Sequence, residues 1–238
     1  MSQFLKDLKT LAFPDAAFAK EITNSPIPVI FSHGLTANRS VYQCMGLEFA
    51  SNGFITFMID HDDGSNTYTA KMGEPYKSFN TNQPYFVENF NENSEKAKIA
   101  KKHFTSKMGV RVKEVKELID DMEDKDFMKK LFGMDVKVGL NMERLIVSGH
   151  SMGGATAFLI GDQDPRVNCI LTHDPWSKVI TDEIPKFDKV LSKHIQITTT
   201  AQYALVGHDD DPFGEHFRSR CPKKARFESL IVDRTHHV

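Results

Sequence analysis

A Gly-x-Ser-x-Gly pattern formed by Gly149, Ser151 and Gly153 restricts the fold of this chain more than any other feature. The apolar residues 145–147 before it predict a buried strand, and the small and apolar residues 155–160 after it predict a helix. A strand can turn directly into a helix only where the flanking residues have almost no side chain, as glycine does. The pattern therefore predicts a tight strand–turn–helix unit that leaves the Ser151 hydroxyl exposed at the turn.

A serine at such a turn is the nucleophile of many serine hydrolases. The helix that follows Ser151 directs unpaired N–H groups and the positive end of its dipole towards the hydroxyl. This arrangement stabilises an oxyanion that develops beside the serine during acyl transfer. We therefore expect Ser151 to be a catalytic nucleophile, which requires a base and a carboxylate that orients the base.

Asp174 is the carboxylate expected to complete this arrangement, because in α/β-hydrolases an Asp or Glu follows the serine and precedes the histidine. It comes directly after the apolar residues 168–172, one strand–helix unit beyond the serine. The carboxyl ends of parallel strands meet at one edge of a sheet, so Asp174 is predicted to lie near Ser151. The alternative acids are Asp209 and Asp210, which follow a β-like stretch.

The base is expected among the histidines of the C-terminal part of the chain. These are His194, His208, His216, His236 and His237. The adjacent pair His236 and His237 follows the last predicted strand, residues 228–232, which is where this chain order places the histidine. Spacing alone does not separate the two.

Two backbone N–H groups are expected to form an oxyanion hole. One is that of Met152, directly after the nucleophile, and the other comes from the loop after an earlier strand. The apolar run 28–32 predicts this strand and His33-Gly34-Leu35 this loop, so Leu35 is the second donor. We interpret His33 as a structural residue beside the site and not as the base.

Apolar runs alternate with helical patterns along the chain, which predicts an α/β fold with a mostly parallel central sheet and helices on both faces. The further predicted elements are strands at 54–59 and 195–200 and helices at 41–51, 95–123 and 182–193. We expect one domain over residues 1–238, with an N-terminal extension at 1–25 and an aromatic-rich surface excursion near the site at 66–94.

The predicted helix 95–123 has apolar residues at steps of three and four, among them Phe104, Met108, Val112 and Val115. We interpret this stripe as a surface that faces the core. The alternative is a helix that lies on a membrane surface.

Composition excludes several classes of protein. A formal net charge of −2 argues against a nucleic-acid partner. The widely spaced Cys44, Cys169 and Cys221 predict free thiols and a reducing compartment. The first residues lack the apolar core of a signal peptide, and no apolar run is long enough to cross a bilayer. A cytoplasmic protein is therefore expected.

The acidic stretch Asp60-His61-Asp62-Asp63 raises the question of a metal site. Alternate carboxylates suit a hard cation, but the full calcium-loop pattern is absent from the sequence. We interpret Asp60 and His61 as residues that organise the loop beside the site, and we expect no metal or cofactor.

Five blocks of sequence carry a family resemblance. They are Val29–Leu35, Leu47–Ile55, Asp60–Ser65, Gly149–Thr156 and Asp174–Trp176. Together these blocks resemble the platelet-activating factor acetylhydrolases of the plasma and type II group. The Gly-His-Ser-x-Gly-Gly block alone is shared by many esterases, whereas the earlier blocks are more specific.

The resemblance implies an α/β-hydrolase fold, reduced at the N-terminus because members of the family have more sequence before the first matched strand. It implies a calcium-independent serine hydrolase that removes short or oxidised acyl chains from the sn-2 position of phospholipids. By position in the family pattern, Ser151 is the nucleophile, Asp174 the acid and His237 the base. Leu35 and Met152 are the oxyanion donors.

We therefore expect an ester hydrolase that acts on a phospholipid or a small ester and makes transient contact with a membrane surface. Two alternatives stay open. One is a general carboxylesterase for small soluble esters that uses the same triad. The other is a non-catalytic lipid-binding remnant.

Overall fold

The computed structural model of this protein describes residues 25–69, 77–78, 94–132, 139–180, 182–200, 217, 220 and 226–232. The strands in this part of the chain are β1 (Ile27–Ser32), β2 (Phe54–Ile59), β3 (Tyr68–Thr69), β4 (Lys77–Ser78), β5 (Ile146–His150), β6 (Cys169–His173), β7 (His194–Thr200) and β8 (Phe227–Val232). Six of them form one sheet in the order β2-β1-β5-β6-β7-β8, and every neighbouring pair is parallel. The predicted parallel sheet is confirmed.

The α-helices in the described residues are α1 (Gln43–Ser51), α2 (Glu95–Met122), α3 (Phe127–Phe132) and α4 (Met152–Gln163). Short 3-10 turns occur at Arg39–Tyr42, Met142–Arg144, Ser177–Ile180, Ile184–Lys186 and Val190–Ser192. The long helix α2 begins where Ser94 caps it, because the Ser94 hydroxyl accepts a hydrogen bond from the Ala97 N–H at 3.2 Å. Its bounds match the predicted helix to within one residue.

The strand order places helices on both faces of the sheet, as predicted. The connection from β1 through α1 reaches β2 on one side of β1, whereas that from β5 through α4 reaches β6 in the opposite direction. Crossovers between parallel strands are right-handed, so two that run in opposite directions leave their helices on opposite faces. Helix α2 packs against α4 and therefore lies on the same face as α4.

The apolar stripe of α2 is buried in the core. Phe104, Met108 and Val115 are each at most 2% exposed and belong to the main apolar cluster, and α4 contributes Phe158 to the same cluster. The stripe is therefore a packing surface, and the membrane-surface alternative for these residues is wrong. Burial of this stripe sets the position of α2 beside the carboxyl edge of the sheet.

The single helix predicted over 182–193 is wrong. Two 3-10 turns, Ile184–Lys186 and Val190–Ser192, occupy this stretch. Pro185 has no N–H for an α-helical ladder, and the Asp162 carboxylate of α4 accepts the N–H groups of Lys189 and Val190 at 3.0 and 3.3 Å. Those N–H groups are therefore satisfied by a neighbouring element and do not continue a helix.

The surface excursion predicted at 66–94 is described in part. Strands β3 and β4 pair antiparallel, with Tyr68 opposite Ser78 and Thr69 opposite Lys77. Residues 70–76 and 79–93, and residues 1–24 of the predicted extension, lie outside the described residues.

None of the described helices combines the length and the apolar character that crossing a membrane requires. Cys44 and Cys169 are free thiols, as expected, and Cys221 lies outside the described residues.

Candidate active site

Ser151 occupies the turn between β5 and α4 in a strained conformation. Its φ is 53° and its ψ is −115°, which non-glycine residues rarely adopt. The neighbouring strand holds the turn, because the Ser151 N–H donates to the His173 carbonyl at 2.9 Å and the Ser151 carbonyl accepts from the Trp176 N–H at 2.8 Å. Strain of about 1–3 kcal/mol persists only where surrounding contacts fix it, and such positions cluster at active sites. The predicted strand–turn–helix is confirmed.

The glycines around Ser151 allow main-chain segments to meet without side chains between them. A Cβ on Gly153 would lie 2.0 Å from the Ser32 carbonyl oxygen, and one on Gly149 would lie 2.4 Å from the carbonyl carbon of Gly153. Both distances are far below van der Waals contact. Glycine at these positions lets α4 start against the end of β1.

Gly153→Ala is expected to lower the free energy of unfolding by about 3 kcal/mol, because the added methyl group meets main-chain atoms that cannot rotate away. The matched control is Gly109→Ala on the exposed side of α2, where an added Cβ meets nothing within 4 Å. That control is expected to raise the free energy of unfolding by about 0.5–1 kcal/mol. Urea denaturation measures both, and similar midpoints for the two variants would contradict this account of the turn.

Asp174 lies at the end of β6, beside the Ser151 turn. β5 and β6 pair in register with His150 opposite His173, so the next residue of each strand is Ser151 and Asp174. Asp174 is 2% exposed, and its carboxylate accepts the Thr200 N–H at 2.6 Å and the Thr200 hydroxyl at 2.8 Å. The two residues that the sequence predicted to lie together are thus on adjacent strand ends, with the carboxylate anchored to the end of β7.

The loop after β1, residues 33–37, approaches the same point. A Cβ on Gly34 would lie 3.4 Å from the Ser151 Cβ. The Gly34 N–H donates to the Tyr42 hydroxyl at 3.1 Å, and that hydroxyl is 2.7 Å from His150 Nδ1. Tyr42 therefore ties the loop to the residue before Ser151.

The backbone N–H groups of Leu35 and Met152 are the two expected oxyanion donors. Neither donates to an acceptor among the residues that the structure describes. Met152 is the first residue of α4, so its N–H precedes the helical ladder. Within the described residues both N–H groups can therefore donate to an external acceptor.

Arg111 of α2 connects the 33–37 loop to the acidic stretch after β2. Its Nε donates to Asp63 Oδ2 at 2.7 Å and its Nη1 to the His33 carbonyl at 2.6 Å. Both partners of the Arg111–Asp63 ion pair are 0% exposed at their side chains. Burial alone would raise the pKa of Asp63, but the Arg111 charge and the hydrogen bonds from Ser65 and Arg111 lower it well below its usual range.

His61 belongs to a second buried chain of hydrogen bonds. Its Nε2 lies 2.7 Å from the Ser32 hydroxyl and its Nδ1 lies 2.7 Å from Glu114 Oε2. Glu114 Oε1 also accepts the Asp62 N–H at 2.9 Å. Burial lowers the pKa of His61 well below its usual value, so the ring is neutral and donates from Nδ1 to the carboxylate. Asp60 pairs with Arg39.

The acidic stretch therefore organises the loop beside the site, as interpreted from the sequence. The side chains of Asp60, His61 and Asp63 are bound by Arg39, Glu114 and Arg111, and Lys107 Nζ donates to the Asp63 carbonyl. Sequence reasoning missed Arg111, Tyr42 and Glu114. One feature of the sequence could have identified Arg111. It occupies a position in the apolar stripe of α2, which predicts a buried side chain that needs a counter-charge.

His33 is held neutral inside this network. It is 0% exposed, and burial, with the charges of Arg111 and His61 acting in the same direction, lowers its pKa to about 3. Nδ1 donates to the Gly34 carbonyl at 2.7 Å and Nε2 accepts the His61 N–H at 3.3 Å. Both ring nitrogens bind the backbone, as expected of a structural residue.

All the candidate bases except His194 lie outside the residues that the structure describes. His208, His216, His236 and His237 are outside the described residues, and so are the alternative acids Asp209 and Asp210. His194 is the first residue of β7 and pairs with Cys169, so it lies at the amino edge of the sheet. That edge is opposite Ser151, which excludes His194 as the base.

Solved structures with similar folds include two hydrolases. The ferulic acid esterase from Streptomyces cinnamoneus aligns with a TM-score of 0.57 and 15% identity, over 88% of this chain and 52% of that protein. The monoacylglycerol lipase from Paleococcus ferrophilus aligns with a TM-score of 0.55 and 10% identity, over 90% of this chain and 88% of that protein. With the parallel sheet and the Ser151 turn, these likenesses show that this chain has the α/β-hydrolase fold.

Sequence comparison gives the family. The platelet-activating factor acetylhydrolase of Cavia porcellus is 27% identical over 164 residues, which cover 66% of this chain and 36% of that relative. The chain thus spans little more than a third of the length of this relative. The sequence profile of platelet-activating factor acetylhydrolase, isoform II, matches residues 3–193. The protein therefore belongs to the platelet-activating factor acetylhydrolase, isoform II, family.

Proposed function

We propose that this protein is a serine ester hydrolase that works through an acyl-enzyme at Ser151. The observation that carries the proposal is the strained Ser151 turn at the same sheet edge as the buried Asp174 carboxylate. The strained backbone of a serine just before a helix exposes the serine hydroxyl beside the unpaired N–H groups of that helix, as nucleophilic attack requires. Family membership supports the same chemistry.

In the proposed reaction Ser151 Oγ attacks the ester carbonyl while the base takes its proton. The base then returns the proton to the leaving alkoxide, and water deacylates the enzyme by the reverse sequence. Asp174 holds the base in the correct tautomer and stabilises its cation. The two Thr200 hydrogen bonds keep the carboxylate in place for this role.

We propose His237 as the base, with His236 as the alternative. The support comes from the end of β8, where Val232 pairs with Thr200, the residue that binds Asp174. His237 is five residues beyond Val232 in the chain, and an extended chain of five residues reaches about 16 Å. A histidine at either position is thus within reach of Asp174.

The N–H groups of Leu35 and Met152 are the proposed oxyanion donors. Met152 begins α4, so the positive end of the helix dipole adds to its N–H. The support for Leu35 is the approach of the 33–37 loop to Ser151. Two such donors stabilise the tetrahedral intermediate, and losing one typically costs about 10²–10³ in kcat.

The proposed substrates are phospholipids with a short or oxidised sn-2 acyl chain, cleaved without calcium. Membership in a platelet-activating factor acetylhydrolase family and the names of its relatives support this class. Transient contact with a membrane surface, a cytoplasmic location and a single domain over the whole chain belong to the same proposal. None of the proposed steps requires a metal or cofactor.

Substrate class is tested by the ratio of two kcat/KM values for wild-type protein, one for a micellar sn-2 acetyl phospholipid and one for a soluble acetate ester. We expect the phospholipid to be preferred, and we expect excess chelator to leave both rates unchanged. A phospholipid with a long sn-2 chain is the control and should be hydrolysed poorly.

Preference for the soluble ester would contradict the phospholipid assignment and favour a general carboxylesterase. The structural likeness to a ferulic acid esterase is the observation that favours the carboxylesterase alternative. Folded protein that binds phospholipid vesicles and hydrolyses neither ester would instead indicate a lipid-binding remnant. Loss of activity with chelator would overturn calcium independence.

A further inference from the structure

Arg111 is a charged residue inside the apolar stripe of α2. It is 0% exposed and lies between Met108 and Val115, which are also buried. A guanidinium in such a place needs a counter-charge and acceptors for its five N–H donors. The positions of those acceptors indicate the role of Arg111.

The acceptors belong to two loops at the carboxyl edge of the sheet. Nε donates to the Asp63 carboxylate, Nη1 to the His33 carbonyl at 2.6 Å and Nη2 to the Ser65 hydroxyl. The Ser65 carbonyl in turn accepts the Thr36 N–H at 2.7 Å. Arg111 therefore holds the 33–37 loop directly through His33 and indirectly through Ser65.

These contacts fix the orientation of two successive peptide units. The first has its His33 carbonyl bound by Arg111 and its Gly34 N–H bound by Tyr42. In the second, the Gly34 carbonyl accepts a hydrogen bond from His33 Nδ1 at 2.7 Å. That unit is planar and trans, so its N–H, which belongs to Leu35, points away from the carbonyl.

We infer that Arg111 is a positioning residue that aims the Leu35 N–H at the oxyanion, acting through His33. This inference rests on the proposed function. Arg111 fixes the His33 backbone, the His33 ring fixes the Gly34 carbonyl, and the Leu35 N–H takes the opposite direction. Asp63 supplies the counter-charge that keeps the guanidinium in the core.

The contacts of Arg166 show how a purely structural arginine differs. Arg166 lies between α4 and β6 at the amino edge of the sheet, and its ion-pair partners are the carboxylates of Asp120, Glu123 and Asp164. Arg111 pairs with one carboxylate and also donates to the loop residues His33 and Ser65 and, at 3.5 Å, to the Ser32 hydroxyl at the end of β1. Arg166→Lys is therefore a matched control that removes a guanidinium far from Ser151.

Two variants of Arg111 separate positioning from folding. Arg111→Lys keeps the positive charge but cannot reach Asp63, His33 and Ser65 together, because it has no planar fork. The double variant Arg111→Met/Asp63→Asn removes both charges, so it leaves no unpaired ion in the core. The double variant keeps the test valid if Arg111→Lys alone folds poorly.

We expect kcat to fall by about 10- to 100-fold in Arg111→Lys and by about 100-fold or more in the double variant, since small displacements of a catalytic donor have effects of that size. KM should stay within about threefold of wild type, because the donor acts on the transition state and not on the bound ester. The inhibition constant of a trifluoromethyl ketone, whose tetrahedral adduct carries an oxyanion, should rise in parallel with the loss of kcat. Arg166→Lys should change none of the three values.

The outcomes are distinct. A fall in kcat with unchanged KM, weaker ketone binding and a thermal midpoint near that of wild type supports the inference. Arg111 variants that turn over within twofold of wild type, while Ser151→Ala is inactive, overturn the inference and leave the proposed function intact. If the Ser151→Ala variant turns over ester as fast as the wild type, the proposed function is overturned, and the inference with it.

Discussion

Ser151→Ala is expected to lower kcat for ester hydrolysis by about 10⁵–10⁶-fold, because removing the nucleophile of a hydrolase of this kind leaves only binding and oxyanion stabilisation. The substitution removes one hydroxyl and leaves the backbone contacts of the turn in place. The thermal midpoint should therefore stay close to that of wild type, since alanine keeps the Cβ and adopts the same backbone conformation. Initial rates with a saturating ester and a thermal melt measure the two effects.

The matched control is Ser148→Ala. Ser148 lies in β5, three residues before Ser151, is 0% exposed, and its hydroxyl has no hydrogen-bond partner among the described residues. Removing that hydroxyl should leave kcat unchanged. Equal loss of activity in the two variants would point to damage of β5 and not to a nucleophile at 151.

Asp174→Asn is expected to lower kcat by about 10⁴-fold, the loss seen when a triad carboxylate becomes an amide. An asparagine can keep both contacts to Thr200, with its oxygen accepting the N–H and its amide donating to the hydroxyl. The fold should thus be retained, while the negative charge that is proposed to orient the base is lost. Measured kcat values at several pH values and an unfolding curve test both parts.

Thr200→Val is the control for Asp174→Asn. It removes the hydroxyl contact of 2.8 Å but keeps the charge and the backbone contact of 2.6 Å. A reduction of kcat by about tenfold or less is expected, because the carboxylate keeps its charge and one of these two anchors. A 10⁴-fold fall of kcat in Thr200→Val, or an unchanged kcat in Asp174→Asn, would contradict the role proposed for Asp174.

Much of the fold could be predicted because it depends on local signals. The apolar runs of β1, β2, β5 and β6 and the stripe of α2 each identify an element to within about three residues. The Ser151 turn has its own signature in the flanking glycines, and the neighbouring position of Asp174 follows from parallel strand order. These parts of the site are consequences of short segments.

The supporting network could not be predicted in the same way. Arg111 is 78 residues from His33 in the chain, and Tyr42 is 108 residues from His150. Such pairings follow from how helices pack on the sheet, and the sequence pattern indicates only that Arg111 occupies a buried position. The prediction of a helix over 182–193 was wrong for a related reason. Asp162 of α4 accepts a backbone N–H of this stretch, and the sequence pattern does not show that contact.

The most direct test of the proposed nucleophile is the mass of the protein after reaction with a fluorophosphonate probe, with the modified peptide located by fragmentation. We predict one phosphonyl group per wild-type chain, attached to Ser151, and no addition to Ser151→Ala. Complete labelling of Ser151→Ala, or a phosphonyl group on another serine of the wild type, would contradict the assignment of Ser151 as the nucleophile.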